Sequence, residues 1–245
     1  MARRGRRTET PDTEGRLWRD KPPEEYDRPD LNPYLKICWD YGRPILRSDD
    51  AASCRGRWHE EFGREAPLHV EVGVGNGFFF SSMAERHPER NWVGVEIRFK
   101  RVWLTAKKCR NNQSEERVRL ARYDGTALSD LFATGEVDAL YVNHPDPWPK
   151  DRWAKNRLLG PSFLEMVAAL LKPGAELRLK TDHRINVDAL VAAADEHPGF
   201  EVVAVCEDIE SEGTPWGEDI VTNYQRKFYE RGEPVYAVQV RRLED

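Results

Sequence analysis

Carboxylates stand at the ends of three successive apolar runs in this sequence. Glu71 lies within the first run, Glu96 lies near the end of the second, and Asp124 follows the third. Acids in such positions can accept hydrogen bonds from ribose hydroxyls and amino groups, and they attract cations. The same acids would repel the phosphates of a nucleoside triphosphate. The three carboxylates therefore indicate a site for a cationic nucleoside, a description that fits S-adenosylmethionine.

A glycine-rich turn follows Glu71 at the place where such a ligand would approach the chain. Gly73 and Gly75 open a Gly-x-Gly-x-Gly pattern, and glycine allows tight turns and close approach of a ligand to the backbone. The dinucleotide motif Gly-x-Gly-x-x-Gly would need glycine at position 78, which is Phe78. Glu96 follows about 20 positions after the turn, where dinucleotide folds place a ribose-binding acid. The spacing favours S-adenosylmethionine over the nicotinamide cofactor of a dehydrogenase.

The run at 143–150, Asn-His-Pro-Asp-Pro-Trp-Pro-Lys, is the most distinctive in the chain. Its three prolines remove backbone donors and predict a rigid loop. Asp146 lies between two of these prolines, and we interpret it as the catalytic carboxylate. Lys150 begins a basic cluster that could follow an RNA backbone, although a solvated helix face has the same composition. The other members of this cluster are Arg152, Lys155 and Arg157.

Metal and disulfide chemistry are not expected. Asp182 ends another apolar run, and His144 and His183 stand near the candidate acids, but the sequence offers no third metal ligand beside them. The four cysteines form no Cys-x-x-Cys pair, which zinc sites generally need. We therefore expect reduced thiols and no metal.

Apolar runs alternate with helical patterns from Leu68 onward, which is typical of βα units around a parallel sheet. The pattern predicts an α/β fold with a doubly wound, mostly parallel seven-stranded sheet whose last two strands are antiparallel. Pro173 and Gly174 predict the end of a helix. In such sheets ligands bind at the carboxyl ends of the strands, where the candidate acids stand. The seven predicted strands are 68–73, 91–97, 117–123, 137–143, 175–181, 200–206 and 235–242.

Length and composition predict a single domain. The chain has 245 residues and a formal net charge of −5, so RNA binding would depend on local basic clusters. Residues 1–30 are charged, proline-rich and poor in apolar side chains, and we expect a disordered tail there and one domain over 31–245. No apolar stretch is long enough to span a membrane, and no apolar region follows the basic N-terminus. We expect a cytoplasmic protein without membrane association, either a monomer or a weak homodimer.

Several of these motifs occur together in one known family. The motifs are EVGVGNG at 71–77, GVEI at 94–97, PDPWPK at 145–150, LKPG at 171–174, KTD at 180–182, TNYQRKF at 222–228 and RGEPVY at 231–236. With them, residues 30–242 resemble the bacterial tRNA (guanine-N7-)-methyltransferases. This resemblance implies the Rossmann-like fold of class I methyltransferases and S-adenosylmethionine as the methyl donor.

The resemblance also implies roles for individual residues. The methyl acceptor would be N7 of a guanine in the variable loop of tRNA, and an insertion at about 207–234 would help to bind that substrate. The cofactor-binding residues would be Glu71, Gly73, Gly75, Glu96, Asp124 and Asp146. The substrate-binding residues would be Lys150, Asp182, Thr222, Asn223, Tyr224 and Gln225.

Two positions depart from the family pattern. His144 stands where the family usually has an aromatic residue, and Gln225 stands where it usually has an acid. If Gln225 accepts a hydrogen bond from guanine, Gln225→Glu should raise methylation a few-fold. The alternatives are an RNA or amino-group methyltransferase of other specificity, or a catalytically silent RNA-binding relative.

Overall fold

The computed structural model describes residues 20–25, 32–150, 152 and 156–244. Most of the predicted N-terminal tail and Lys155 of the basic cluster lie outside these residues. Within them, no helix is both long and apolar enough to cross a membrane.

Eight strands form one mixed sheet in the described part of the chain. Their order across the sheet is β1-β4-β3-β2-β5-β6-β8-β7. All neighbouring pairs from β1 to β6 are parallel, and β8 runs antiparallel to both β6 and β7. The strands are β1 (Ile45–Leu46), β2 (Leu68–Val72), β3 (Asn91–Glu96), β4 (Val118–Arg122), β5 (Val137–Asn143), β6 (Leu171–Thr181), β7 (Phe200–Cys206) and β8 (Tyr236–Arg242).

Helices cover both faces of this sheet. The core on one face contains residues of α2, α3, α6 and α7, and the core on the other contains residues of α1, α4 and α5. The helices are α1 (Pro33–Tyr41), α2 (Ser48–Ser53), α3 (Trp58–Phe62), α4 (Phe78–Arg86), α5 (Phe99–Asn111), α6 (Pro161–Leu170), α7 (Arg184–Glu196), α8 (Ile209–Glu212) and α9 (Asn223–Tyr229). The predicted α/β, doubly wound and mostly parallel fold is therefore confirmed.

Two local predictions need correction. The sheet has an eighth strand, β1, whose two apolar residues pair with β4 and are too few to show a periodic pattern. The helix expected to stop at Pro173-Gly174 ends at Leu170 instead, and β6 begins at Leu171. A residue before proline is driven towards extended backbone, so Lys172 favours the strand before the proline itself is reached.

The sheet order reverses between β2 and β5, which are neighbours in space but distant in sequence. β3 lies on the far side of β2, and β6 lies on the far side of β5. Such a switch point opens a crevice at the carboxyl ends of the central strands. Glu71, Glu96, Asp146 and Asp182 lie at or just after the ends of β2, β3, β5 and β6 and so belong to this crevice.

The segment 207–234 provides a layer of its own beside the crevice. Its Ile220 is buried in the core shared with α1, α4 and α5, and its Trp216 lies against the guanidinium of Arg178. A small apolar cluster around Cys206 and Val235 fastens the two ends of the segment. The segment therefore covers the face of β6 that those helices leave open.

Candidate active site

The glycine turn after β2 has the backbone that only glycine adopts readily. Gly73, Gly75 and Gly77 have φ values of 79°, 54° and 73°. A Cβ at Gly77 would lie 2.5 Å from the Thr105 hydroxyl oxygen, so this position is sterically closed as well. A Cβ at Gly73 would meet no atom within 4 Å, which leaves open space on that side of the turn.

Glu71 is a buried carboxylate at the base of this turn. The residue is 1% exposed, and its Oε1 accepts a hydrogen bond of 2.8 Å from Asn143 Nδ2. Oε2 is buried and has no hydrogen-bond partner among the described residues. Burial raises the pKa of Glu71 to about 8, against the hydrogen bond from Asn143 and the charge of Lys180. An unpartnered oxygen of this kind fits a cationic ligand, which would restore the charged form.

Glu96 at the end of β3 supports the same turn. Its Oε2 accepts from the backbone N–H of Gly75 at 3.1 Å, and its Oε1 accepts from that of Arg98 at 2.9 Å. Burial raises the pKa of Glu96, while these two backbone donors oppose the shift. The carboxylate thus fixes the glycine turn relative to β3, and each oxygen keeps capacity for a second donor.

Asp124 follows β4 and forms a local turn. Its Oδ1 accepts from the backbone N–H and the hydroxyl of Thr126, at 2.9 and 2.8 Å. These bonds hold the side chain in place, and Asp124 is half-buried. Asp124 therefore stands at the carboxyl end of β4, beside the end of β3 that carries Glu96.

The proline-rich loop after β5 is fixed to the neighbouring elements. The backbone N–H of His144 donates to the carbonyl of Lys180 at 2.7 Å, and Asn186 Nδ2 donates to the carbonyl of Pro145 at 3.0 Å. His144 and Trp148 have φ values of 49° and 42°, which non-glycine residues adopt seldom. These constraints leave Asp146 on an exposed part of the loop.

Asp182 at the end of β6 joins three segments of the site. Its side chain is 3% exposed, and its Oδ1 accepts from His144 Nδ1 at 2.9 Å. Its Oδ2 lies 3.1 Å from His183 Nε2 and accepts from the Tyr224 hydroxyl at 3.4 Å. Burial raises the pKa of Asp182, but the hydrogen bond from His144 and the nearby charges outweigh it, so the pKa lies below its ordinary value.

Tyr224 connects this cluster to Asp146. The Tyr224 ring lies 4.8 Å from the His144 ring, edge to face, and the residue is 47% exposed. Burial of its hydroxyl and the Asp182 carboxylate raise the pKa of Tyr224, and the charge of Asp146 adds to this effect. The structure thus brings Asp146, Asp182 and Tyr224 to one edge of the sheet.

The stretch 222–225 divides into exposed and buried residues. Thr222 accepts from the backbone N–H of Gln225 at 3.1 Å and caps α9, while Asn223 and Tyr224 are exposed. Gln225 is fully buried, its Oε1 accepts from Lys180, and its amide donates to Asp219 and Tyr229. A direct contact between Gln225 and guanine was expected, whereas its side chain is enclosed by Lys180, Asp219 and Tyr229.

Comparison with known proteins places these motifs in a family. The sequence model of a family described as "Putative methyltransferase" matches residues 65–238. A tRNA (guanine-N(7)-)-methyltransferase of Streptococcus agalactiae serotype III (strain NEM316) is 35% identical over 187 residues, 76% of this chain and 87% of its own. A protein of the same name from Bacillus velezensis (strain DSM 23117 / BGSC 10A6 / LMG 26770 / FZB42) is 36% identical over 191 residues, 78% of this chain and 86% of its own.

The chain belongs to the tRNA (guanine-N(7)-)-methyltransferase family. The resemblance that the motifs indicated is therefore confirmed.

Solved structures agree with this family at the level of the fold. The 16S rRNA methyltransferase KamB has a TM-score of 0.56 and 15% identity, with 77% of this chain and 94% of that chain covered. The antibiotic-resistance methyltransferase Kmr has a TM-score of 0.54 and 17% identity, with 78% and 93% covered. At such identities the likeness shows a shared methyltransferase fold.

The site also includes three residues to which the sequence assigned no role: Asn143, Lys180 and Asp219. Asn143 holds Glu71, and the buried Lys180 pairs with Asp219. The sequence signal for Lys180 was weak, because polar and apolar residues alternate through the run 175–181 as they do on a solvent-facing strand. Nothing in the sequence separates Asp219 from its many acidic neighbours. No group of three or more potential metal ligands occurs in the described ranges.

Proposed function

We propose that the chain transfers a methyl group from S-adenosylmethionine to N7 of a guanine in the variable loop of tRNA. Its membership of the family supports the reaction and the substrate. The observation that carries the cofactor assignment is the buried Glu71 oxygen, which has no hydrogen-bond partner among the described residues and stands at the glycine turn. S-adenosylmethionine offers two cationic groups, an amino group and a sulfonium, that fit an acidic site of this kind.

The cofactor site would consist of acids from four strand ends around the glycine turn. Glu71 would meet a cationic group, and Glu96 and Asp124 would accept from ribose and adenine donors, as their positions after β3 and β4 suggest. Gly73 and Gly75 would leave room for the ligand to approach the backbone. Asp146 would close the site from the loop after β5. When bound, S-adenosylmethionine supplies a methyl group attached to a positively charged sulfur.

Guanine N7 carries a free lone pair, so the protein does not need a base to activate it. During transfer the N7–methyl bond forms as the sulfur–methyl bond breaks, and positive charge moves onto the guanine ring. Asp146 is exposed at the edge of the site, where its carboxylate can stabilise this charge. Since the charge arises only during the reaction, this interaction lowers the barrier.

The substrate would be held by residues on both sides of Asp146. Lys150 and Arg152 are exposed beside the loop and can meet tRNA phosphates. Asp182 would accept from the guanine N1 and N2 hydrogens. Its 3.4 Å bond from the Tyr224 hydroxyl is the longest of its three contacts, and a guanine edge can replace it. Within the single domain 31–245, the segment 207–234 would thus form one wall of the guanine site through Tyr224.

Methyl transfer to an unmodified tRNA transcript tests this proposal. The purified chain, S-adenosylmethionine with a labelled methyl group and the transcript should yield labelled tRNA that breaks at one variable-loop guanine after reduction and aniline treatment. Label without scission would indicate an amino-group or other RNA methyltransferase. Binding of tRNA without label would indicate a catalytically silent relative, and either result contradicts the proposed function.

A further inference from the structure

Lys180 is a buried cation in the middle of the site. It lies one residue before the end of β6, it is 1% exposed, and its Nζ lies over the Phe79 ring at 5.1 Å. The ammonium donates to an Asp219 carboxylate oxygen, to the carbonyl of Ile220 at 3.3 Å and to Gln225 Oε1 at 3.2 Å. An ammonium has three donors, and each of them finds an acceptor here.

All three acceptors belong to the segment 207–234. Asp219, Ile220 and Gln225 reach Lys180 from the stretch that leads into α9 and from α9 itself. Lys180 therefore bonds this segment to the central sheet through three of its residues. The charge of Lys180 also lowers the pKa of Glu71, so the same ammonium acts on the proposed cofactor site.

Gln225 completes the network as a neutral group. Its amide nitrogen donates to Asp219 Oδ2 at 2.7 Å and to the Tyr229 hydroxyl at 2.6 Å, while its oxygen faces Lys180. The Lys180 ammonium thus meets one carboxylate, that of Asp219. The Gln225 amide bridges the two, because its oxygen accepts from Lys180 and its nitrogen donates to Asp219. A carboxylate at position 225 would instead place an oxygen against Asp219 at hydrogen-bonding distance, where the two charges repel.

Apart from the Thr222 cap and the packing of Phe228 and Tyr229 against the apolar cluster around Cys206 and Val235, α9 is held by the bonds of Gln225. The helix spans seven residues, and Gln225 is its one fully buried residue. Phe228 and Tyr229 are half-buried, and Tyr224 packs over His144 at the edge of the site. The bonds that Gln225 makes are thus the polar attachment of α9 that lies one residue from Tyr224, and they help to set its position relative to Asp182 and Asp146.

We propose that Lys180 is a positioning residue for methyl transfer, with Asp219 as its counter-charge and Gln225 as the neutral bridge. The three groups hold α9 so that Tyr224 lies against Asp182 at the guanine site. Position 225 acts through Lys180 and does not touch the base. This inference rests on the proposed function and assigns the residues that align its substrate segment.

Exchanging the carboxylate of Asp219 and the amide of Gln225 tests the proposal. Gln225→Glu places two carboxylates beside one ammonium, and Asp219→Asn leaves the ammonium without a counter-charge. Each change alone should lower kcat/KM for tRNA about tenfold or more, since a coupled buried network is disturbed. The double variant Asp219→Asn, Gln225→Glu restores one charge pair with an amide bridge and should return to within about threefold of the parent.

Two controls separate positioning from general damage. Gln113→Glu makes the same chemical change on an exposed turn after α5, near the opposite edge of the sheet, and should leave kcat/KM unchanged. Affinity for S-adenosylhomocysteine should change less than twofold in Gln225→Glu, because the glycine turn is not altered. Hydrogen exchange of the α9 amides should accelerate in each single variant and recover in the double variant.

The exchange measurement distinguishes this inference from the proposed function, since it needs no methyl transfer. If the parent fails to methylate tRNA but the exchange pattern is as expected, the network stands and the proposed function fails. Parental kcat/KM in Gln225→Glu, or a double variant no better than the worse single one, overturns the positioning role.

If the double variant does not fold, the pH profile of Gln225→Glu decides. The polar groups that face the side chain at position 225 are Asp219, Lys180 and Tyr229. Protonation of the introduced carboxyl gives it a hydrogen that it can donate to Asp219. The deficit in kcat/KM relative to the parent should therefore shrink between about pH 8.5 and pH 6. A deficit that stays constant or grows contradicts the proposal.

Discussion

Burial of the individual side chains separates the proposed roles of Glu71 and Asp146. Glu71 and Asp146 are both carboxylates at the same edge of the sheet, but Glu71 is enclosed and Asp146 is exposed. An enclosed carboxylate is costly to charge without a partner, so it suits a ligand that brings its own positive charge. An exposed carboxylate is accessible to the substrate.

Replacement of Asp146 tests its catalytic role. Asp146→Asn keeps the shape of the side chain and removes its charge, so we expect kcat to fall about a hundredfold, the order found when one stabilising group is lost. The thermal midpoint should stay unchanged, because the residue is exposed. Asp40→Asn, which neutralises an exposed carboxylate on α1, is the matched control. A parental kcat would remove Asp146 from the mechanism.

The raised pKa of Glu71 predicts a pH dependence of stability. Its ordinary value is 4.5, and burial raises the pKa to about 8 in the folded chain. Between these values the folded state keeps a proton that the unfolded state has lost, so the free energy of unfolding falls by about 1.4 kcal/mol per pH unit. Glu71→Gln removes this dependence, and its stability relative to the parent should increase as the pH rises from 5 to 8.

Urea unfolding of both proteins at several pH values measures that difference. A constant difference between pH 5 and pH 8 would mean that Glu71 is already charged in the folded chain. The same variant should bind S-adenosylmethionine more weakly, because the amide oxygen carries no charge to meet a cation.

At the scale of elements, the loop after β5 is positioned by α7. Asn186 donates to the carbonyl of Pro145 and to the hydroxyl of Thr181, both at 3.0 Å. Asn186→Ala leaves these groups without that donor, which should cost about 1–3 kcal/mol of stability. Since the loop carries Asp146, kcat should also fall, by about tenfold, while S-adenosylmethionine affinity changes little. An unaltered kcat in the folded variant would show that the loop does not need this support.

The sequence predicted most elements of the sheet because each strand is marked by its own apolar run. β1 has two residues and no such run, and it becomes a strand only by pairing with β4. The acids at the strand ends were found for the same reason, since their spacing follows the strands. Lys180 was not assigned a role because Arg178 and Lys180 alternate with Leu177 and Leu179 like a solvent-facing pattern, whereas the segment 207–234 covers that face.

Tertiary packing reverses the effect that the sequence predicts for a substitution at Gln225. Its place in the family motif suggested contact with guanine and a gain from Gln225→Glu. The fold buries it between Lys180 and Asp219, so the expected effect of that substitution becomes a loss. The sequence does not show that Asp219 supplies the charge, because the partners are brought together only by tertiary packing.

The whole molecule has a net charge of −5, which opposes the binding of anionic tRNA, so binding must depend on local basic residues. Lys150 and Arg152 are exposed beside the site, so binding should weaken as salt increases. Replacing both by Gln should flatten the slope of log affinity against log salt by about 1.4 to 1.8 units, at roughly 0.7 to 0.9 per phosphate contact. An unaltered slope would assign tRNA binding to another surface.

One atomic substitution in the tRNA tests whether guanine N7 receives the methyl group. A transcript with 7-deazaguanine at the guanine identified by chain scission has a C–H in place of N7 and keeps the base-pairing edge. The chain should bind this tRNA with parental affinity and transfer no methyl group to it, while the unmodified transcript is methylated. Methylation of the 7-deazaguanine tRNA at an undiminished rate would contradict the assignment of N7.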